Sequence, residues 1–108
     1  MAIVNGTNTV LKLNEISTIT SNAASGTDGV AIKFTNKDDR RVLLLIGGAA
    51  GTAKIFKGDM LQSTEDLEIA VTTAEKAIVI ETGKFMKADG TVVIGGLSGI
   101  TVKAIELP

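Results

Sequence analysis

Most of the side-chain types that do chemistry are missing from this chain: its 108 residues include no His, Cys, Trp or Tyr. Those four side chains supply most nucleophiles, near-neutral acid–base groups, transition-metal ligands and stacking platforms. Paired carboxylates can cleave glycosides, and Glu65 with Asp66, or Glu81 with Glu106, are the pairs to weigh. Twelve acidic residues provide such pairs by chance, and a sugar site also calls for a deep cleft with an aromatic platform. Asp38 and Asp39, with Asp28 ten residues earlier, bring oxygen ligands of the kind Ca²⁺ takes, but no spacing matches a calcium loop. Gly47-Gly48-Ala49-Ala50-Gly51-Thr52 looks like a phosphate loop until its end, where the Lys that reaches the phosphates is missing. The expectation is therefore no enzyme, no catalytic residue, no metal site and no cofactor.

Two smaller signals concern binding. Arg40-Arg41 is able to grip a partner's carboxylates bidentately, with Asp38 and Asp39 beside it. The bland alternative is a solvated turn whose charges balance, since surface ion pairs contribute little. Asp38, Asp39, Arg40 and Arg41 are nonetheless the partner-binding candidates. Lys57-Gly58-Asp59 resembles an adhesion tripeptide, and a turn before Met60 explains it as well.

Charge narrows the partners. Eleven basic and twelve acidic residues leave a net charge of −1, without the basic excess a nucleic-acid binder shows. With no Cys there are no disulfides and no thiolate metal sites. Residues 1–14 lack the basic start and long apolar stretch of a secretory signal. The longest apolar run, Val42 to Ile46, is far too short to span a bilayer. A soluble protein made in a cytoplasm is expected, with neither nucleic acid nor membrane among its partners.

The elements that would position these residues are strands. Val30-Ala31-Ile32-Lys33-Phe34-Thr35, Leu67 to Thr72 and Ile100 to Ala104 alternate with a period of two, the mark of a strand with one wet face. Val42 to Ile46 is apolar at every step and reads as a strand covered on both sides, and Ala77 to Glu81 and Thr91 to Ile94 are similar. Weaker strands are expected at Thr9 to Ile19 and Thr52 to Lys57. Asp28-Gly29 and Asp89-Gly90 supply tight-turn chemistry. Gly47 to Gly51 suits a hairpin loop, residues 36–41 a polar connection, and Gly95 to Gly99 a divider between the last two strands. Only Ser63 to Asp66 and Thr72 to Lys76 hint at helix, and both are too short to stand alone. Near the end the apolar phase flips, from Val102 and Ala104 to Ile105 and Leu107, which implies a bulge at Ala104–Ile105 or burial on both faces.

The chain thus reads as one all-β domain over residues 1–108, an antiparallel sandwich or barrel of about seven to nine short strands, with residues 1–9 as a possible loose arm. Its expected core is Val30, Ile32, Phe34, Leu43, Leu45, Ile55, Leu67, Ile69, Val71, Ile78, Ile80, Phe85, Val92, Ile94, Ile100 and Val102.

Four segments carry a resemblance. They are Lys37-Asp38-Asp39-Arg40-Arg41-Val42-Leu43-Leu44-Leu45, Ser63 to Val71, Ile80-Glu81-Thr82-Gly83-Lys84-Phe85, and Val102 to Pro108. In style the chain resembles small structural proteins of phage and prophage head-gene clusters, the capsid decoration or auxiliary head proteins. The resemblance implies a β-sandwich that binds and stabilises an assembled shell. Its partner would be the major capsid protein or another virion protein, its location the virion after synthesis in the host cytoplasm, and self-association, a trimer for example, would suit a symmetric shell. It transfers no catalytic residue, and residues 6–29 match nothing in it. The competing classes are a carbohydrate-binding or adhesion module, against which the three aromatic residues count, and a tail or baseplate component.

Overall fold

The computed structural model describes residues 3–24, 29–34, 41–59 and 65–106. Short β-branched runs, cut every few residues by Gly, Asp or Asn, become ten strands among the described residues: β1 (Val4–Gly6), β2 (Asn8–Val10), β3 (Asn22–Ala23), β4 (Val30–Lys33), β5 (Arg41–Gly47), β6 (Gly51–Ile55), β7 (Leu67–Val71), β8 (Lys76–Glu81), β9 (Thr91–Gly95) and β10 (Thr101–Glu106). Thr82–Lys84 forms one 3₁₀ turn, closed by Phe85 N–H and Met86 N–H donating to the Thr82 carbonyl at 3.1 and 2.8 Å.

The strands make two sheets, ordered β1-β4-β9-β6-β7 and β2-β10-β5-β8, with β3 also paired to β10. Of the expected all-β sandwich or barrel, the sandwich forms and neither sheet closes into a barrel. Its ten strands among the described residues exceed the expected seven to nine because residues 4–10 add two short edge strands. It is not wholly antiparallel: β1 runs parallel to β4, and β2 parallel to β10. Parallel neighbours need a long connection, and residues 7–29 and 11–100 provide it.

These two pairings also correct the expectation of a loose arm. Residues 4–6 and 8–10 are strands, and they add a parallel edge to each sheet in turn. The weak strand expected over Thr9 to Ile19 stops at Val10. Among the described residues its pairing with β10 ends at Glu106, opposite Val10.

The chain passes between the sheets at almost every step. β4 lies in the first sheet, β5 in the second, β6 in the first; β7 to β8, β8 to β9 and β9 to β10 cross likewise. Gly47 to Gly51 is therefore an arch between layers rather than a hairpin loop. Gly48 makes the corner with a φ of 89°, a conformation that L side chains adopt at a cost. Among the described residues, only β6 and β7 pair as sequence neighbours.

The core lies between the layers. Val30, Ile32, Phe34, Ile55, Val71, Ile80, Phe85, Val92, Ile94, Ile100 and Val102 are buried there as expected, while Leu67, Ile69 and Ile78 are half-buried against it. β5 turns the other way. Val42, Leu44 and Ile46 face the core, and Leu43 and Leu45 lie half-buried on the outer face. An all-apolar run offers no phase of its own; the pairing of Leu44 with Ala104 on one side and Ile78 on the other sets it. In β10 the phase flip reflects burial on both faces. Pairing runs unbroken from Thr101 to Ile105 against β5, so no bulge forms. Ile105 is buried on the outer face, flanked in register by Thr9 and Leu43.

Candidate docking surface

The acidic pairs do not assemble. Glu81 ends β8 exposed, while Glu106 is buried at the end of β10, with β5 lying between the two strands. Asp66 accepts the Lys57 backbone N–H at 2.8 Å, so its carboxylate holds a loop, and Glu65 beside it is exposed. Among the described residues no group of three or more carboxylates gathers as a metal site would require. Asp38, Asp39 and Arg40 lie outside the described residues. Arg41 opens β5, exposed and opposite Glu81 in the ladder.

Lys57-Gly58-Asp59 lines a groove of about 430 Å³ with Phe56, Val93 and Lys87. Its backbone is pinned, because Gly58 N–H donates to the Lys84 carbonyl at 3.3 Å and Asp59 N–H to that of Met86 at 3.1 Å. The Asp59 carboxylate accepts the Ala88 N–H at 2.8 Å. The tripeptide is thus a loop clamp whose carboxylate is engaged. At the next turn, Asp89 accepts from the Thr91 hydroxyl at 2.6 Å and the Thr91 N–H at 3.1 Å. Those bonds, the hydroxyl first, hold its exposed carboxyl below the usual value.

Residues 11–21 form a segment without strand or helix whose two ends are tied down. Leu11 N–H donates to the Glu106 carbonyl at 2.8 Å, and Thr20 N–H to the Thr9 hydroxyl at 3.4 Å. Beneath the far end, buried Asn22 accepts the Thr7 N–H at 2.9 Å and donates to the Thr7 and Val102 carbonyls, both at 3.1 Å. Asn8 Nδ2 donates to a Glu106 carboxylate oxygen at 3.0 Å. These polar anchors hold the loop on β10.

The loop shows solvent a mixed face, in which large apolar side chains stand among exposed Lys12, Asn14, Glu15, Thr18 and Thr20. Leu13 is 78 % exposed and Ile16 wholly so, with Ile19 and Val10 partly exposed beside them. Single exposed apolar residues are ordinary; several of them within ten residues, on a loop anchored at both ends, make this segment the candidate for docking. The signal was present in the spacing. Val10, Leu13, Ile16 and Ile19 recur every three residues, which fits neither a strand nor a helix.

The fold and this surface define a β-sandwich that carries, on one edge, an anchored loop with exposed Leu13 and Ile16. Compared with family models, with curated proteins and with solved structures, the chain matches none.

Proposed function

We propose that this chain is a non-catalytic structural protein that docks through its 11–21 loop on a repeating protein surface, and that this surface is the assembled shell of a virus particle. The observation that carries the docking is the exposure of Leu13 and Ile16 on a loop anchored at both ends. The shell as partner comes from the resemblance to capsid decoration proteins. A loop whose ends are already hydrogen-bonded to the sandwich loses less conformational freedom on binding than a free segment would. A protein that binds only the assembled shell raises that shell's stability by mass action, and many identical sites make modest interfaces sufficient.

The test mixes the purified protein with undecorated shells from the same genome, then measures co-sedimentation and the melting temperature of the shell. The expected result is saturable binding and a raised melting temperature, both lost in the double variant L13D/I16D. Absence of binding to the shell refutes the shell reading and directs attention to tail components. Binding that survives the double variant refutes the loop as the contact.

A further inference from the structure

The long edges of both sheets open on one wall of the sandwich. β7 ends one sheet and β8 the other, and residues 72–75 join them directly. A groove of about 280 Å³ runs between them, lined by Ile69, Val71, Lys76 and Ile78 among others. The strands on the opposite edges are short: three residues each in β1 and β2, two in β3. Short length and mid-strand charge are common protections of a strand edge. β7 carries Glu68, 4.0 Å from Lys54 on β6. β8 has neither protection. Its sequence, Lys76-Ala77-Ile78-Val79-Ile80-Glu81, is charged only at its ends and contains no Pro or Gly. Among the described residues it pairs only with β5, so alternate N–H and C=O groups face outward along its other side. Val79, mid-strand, is 62 % exposed.

We infer that β8 is the docking edge for a second copy of this chain, pairing antiparallel with its counterpart about a two-fold axis at Val79. The wall itself favours a copy over a foreign strand. One added strand covers β8 and leaves β7 and the groove open, whereas a second sandwich brings two edges of its own to meet both.

The register follows from symmetry and charge. A two-fold axis through an antiparallel pair stands perpendicular to the sheet and keeps outer face beside outer face, so one residue must oppose itself. Ile105, Leu43 and Val79 form a row across β10, β5 and β8. Centred on Val79, that row meets its own counterpart, Ile78 faces the copy's Ile80, and Ala77 faces the copy's Glu81. Centred on Ile78 instead, Glu75 would face the copy's Glu81, and like charges directly opposite are destabilising.

The area is sufficient. A standard interface takes about 800 Å² from each partner, roughly one eighth of the 6048 Å² surface. One side wall of a slab measuring 35 × 34 × 22 Å supplies about that share. The dimer leaves the 11–21 loop free, because β2 and β8 end the same sheet on opposite sides.

The chain's lack of Cys makes the test direct. V79C introduces a single thiol, and opposed strand residues place their Cα atoms about 4.5–5.5 Å apart, within the span of a disulfide. Sedimentation equilibrium of the unaltered chain should give a dimer of the 11.1 kDa subunit. Under mild oxidation V79C should crosslink at least tenfold faster than L13C, whose thiol is also exposed but lies far from the axis. V79K should sediment as a monomer while keeping a β-type far-ultraviolet spectrum. A monomeric or trimeric unaltered chain, a dimer that survives V79K, or equal crosslinking of V79C and L13C would each overturn the inference. If V79K does not fold, the crosslinking comparison decides.

Discussion

Leu43 and Leu44 are adjacent, chemically identical and on opposite faces of β5, so truncating each in turn measures which face is the core. Leu44 is fully enclosed and pairs with Ala104 and Ile78. Leu44→Ala removes three carbons, worth about 2.4 kcal/mol at about 0.8 kcal/mol each. The neighbours sit on paired strands and can collapse only partly. A residual void of roughly 40 Å³, at about 24 cal/mol per Å³, adds about 1 kcal/mol. The total is about 3.5 kcal/mol. Leu43 is half-buried on the outer face, so Leu43→Ala forfeits about half the transfer energy and leaves no enclosed void, for about 1.2 kcal/mol. With no Trp or Tyr for fluorescence, urea unfolding followed by far-ultraviolet circular dichroism is the assay, at one fixed protein concentration. Equal slopes for the two variants would confirm that only stability has changed. The urea midpoints should differ by about 1–2 M, at a slope of roughly 1–3 kcal/mol per M for a small domain. A Leu43→Ala cost equal to or above that of Leu44→Ala refutes the register.

Other outcomes follow from the same contacts. Phe34→Ala should cost about 3–5 kcal/mol in the same unfolding assay, because the ring is enclosed between the sheets. Asn22→Ala should cost about 1–3 kcal/mol by leaving the Val102 carbonyl without its side-chain donor, and should speed hydrogen exchange of the Thr7 amide, which loses its acceptor. Gly29→Ala should cost about 1–3 kcal/mol, since Gly29 has a φ of 89° and a Cβ there would run into the Ile94 carbonyl. Asp89 has a lowered folded-state pKa, so its contribution is present above the usual carboxylate pKa and is lost as pH falls through the folded value. Nuclear magnetic resonance titration should show that value rise toward the ordinary one in Thr91→Val, and an unmoved titration would mean the hydroxyl does not hold the carboxylate.

The β character of this chain was legible in its residues, because period-two runs and Asp-Gly turns are local properties. Val30, Ile32 and Phe34 alternate against Lys33 wherever the strand ends up, and all three are buried. Local pattern falls silent where every residue is apolar. The face that β5 buries was decided by its two neighbours in the sheet, as was the double burial of β10, a central strand flanked on both sides. Connectivity was equally out of reach. A Gly-rich segment such as Gly47 to Gly51 serves a hairpin or an arch with the same backbone freedom, and only the packing of two layers selects the arch. The docking surface divides the same way. The absence of His, Cys, Trp and Tyr is a property of the composition and was legible at once. That Leu13 and Ile16 lie open to solvent was decided by the tertiary structure, because the chain leaves the sheet after Val10 and, among the described residues, no neighbouring layer covers these two side chains.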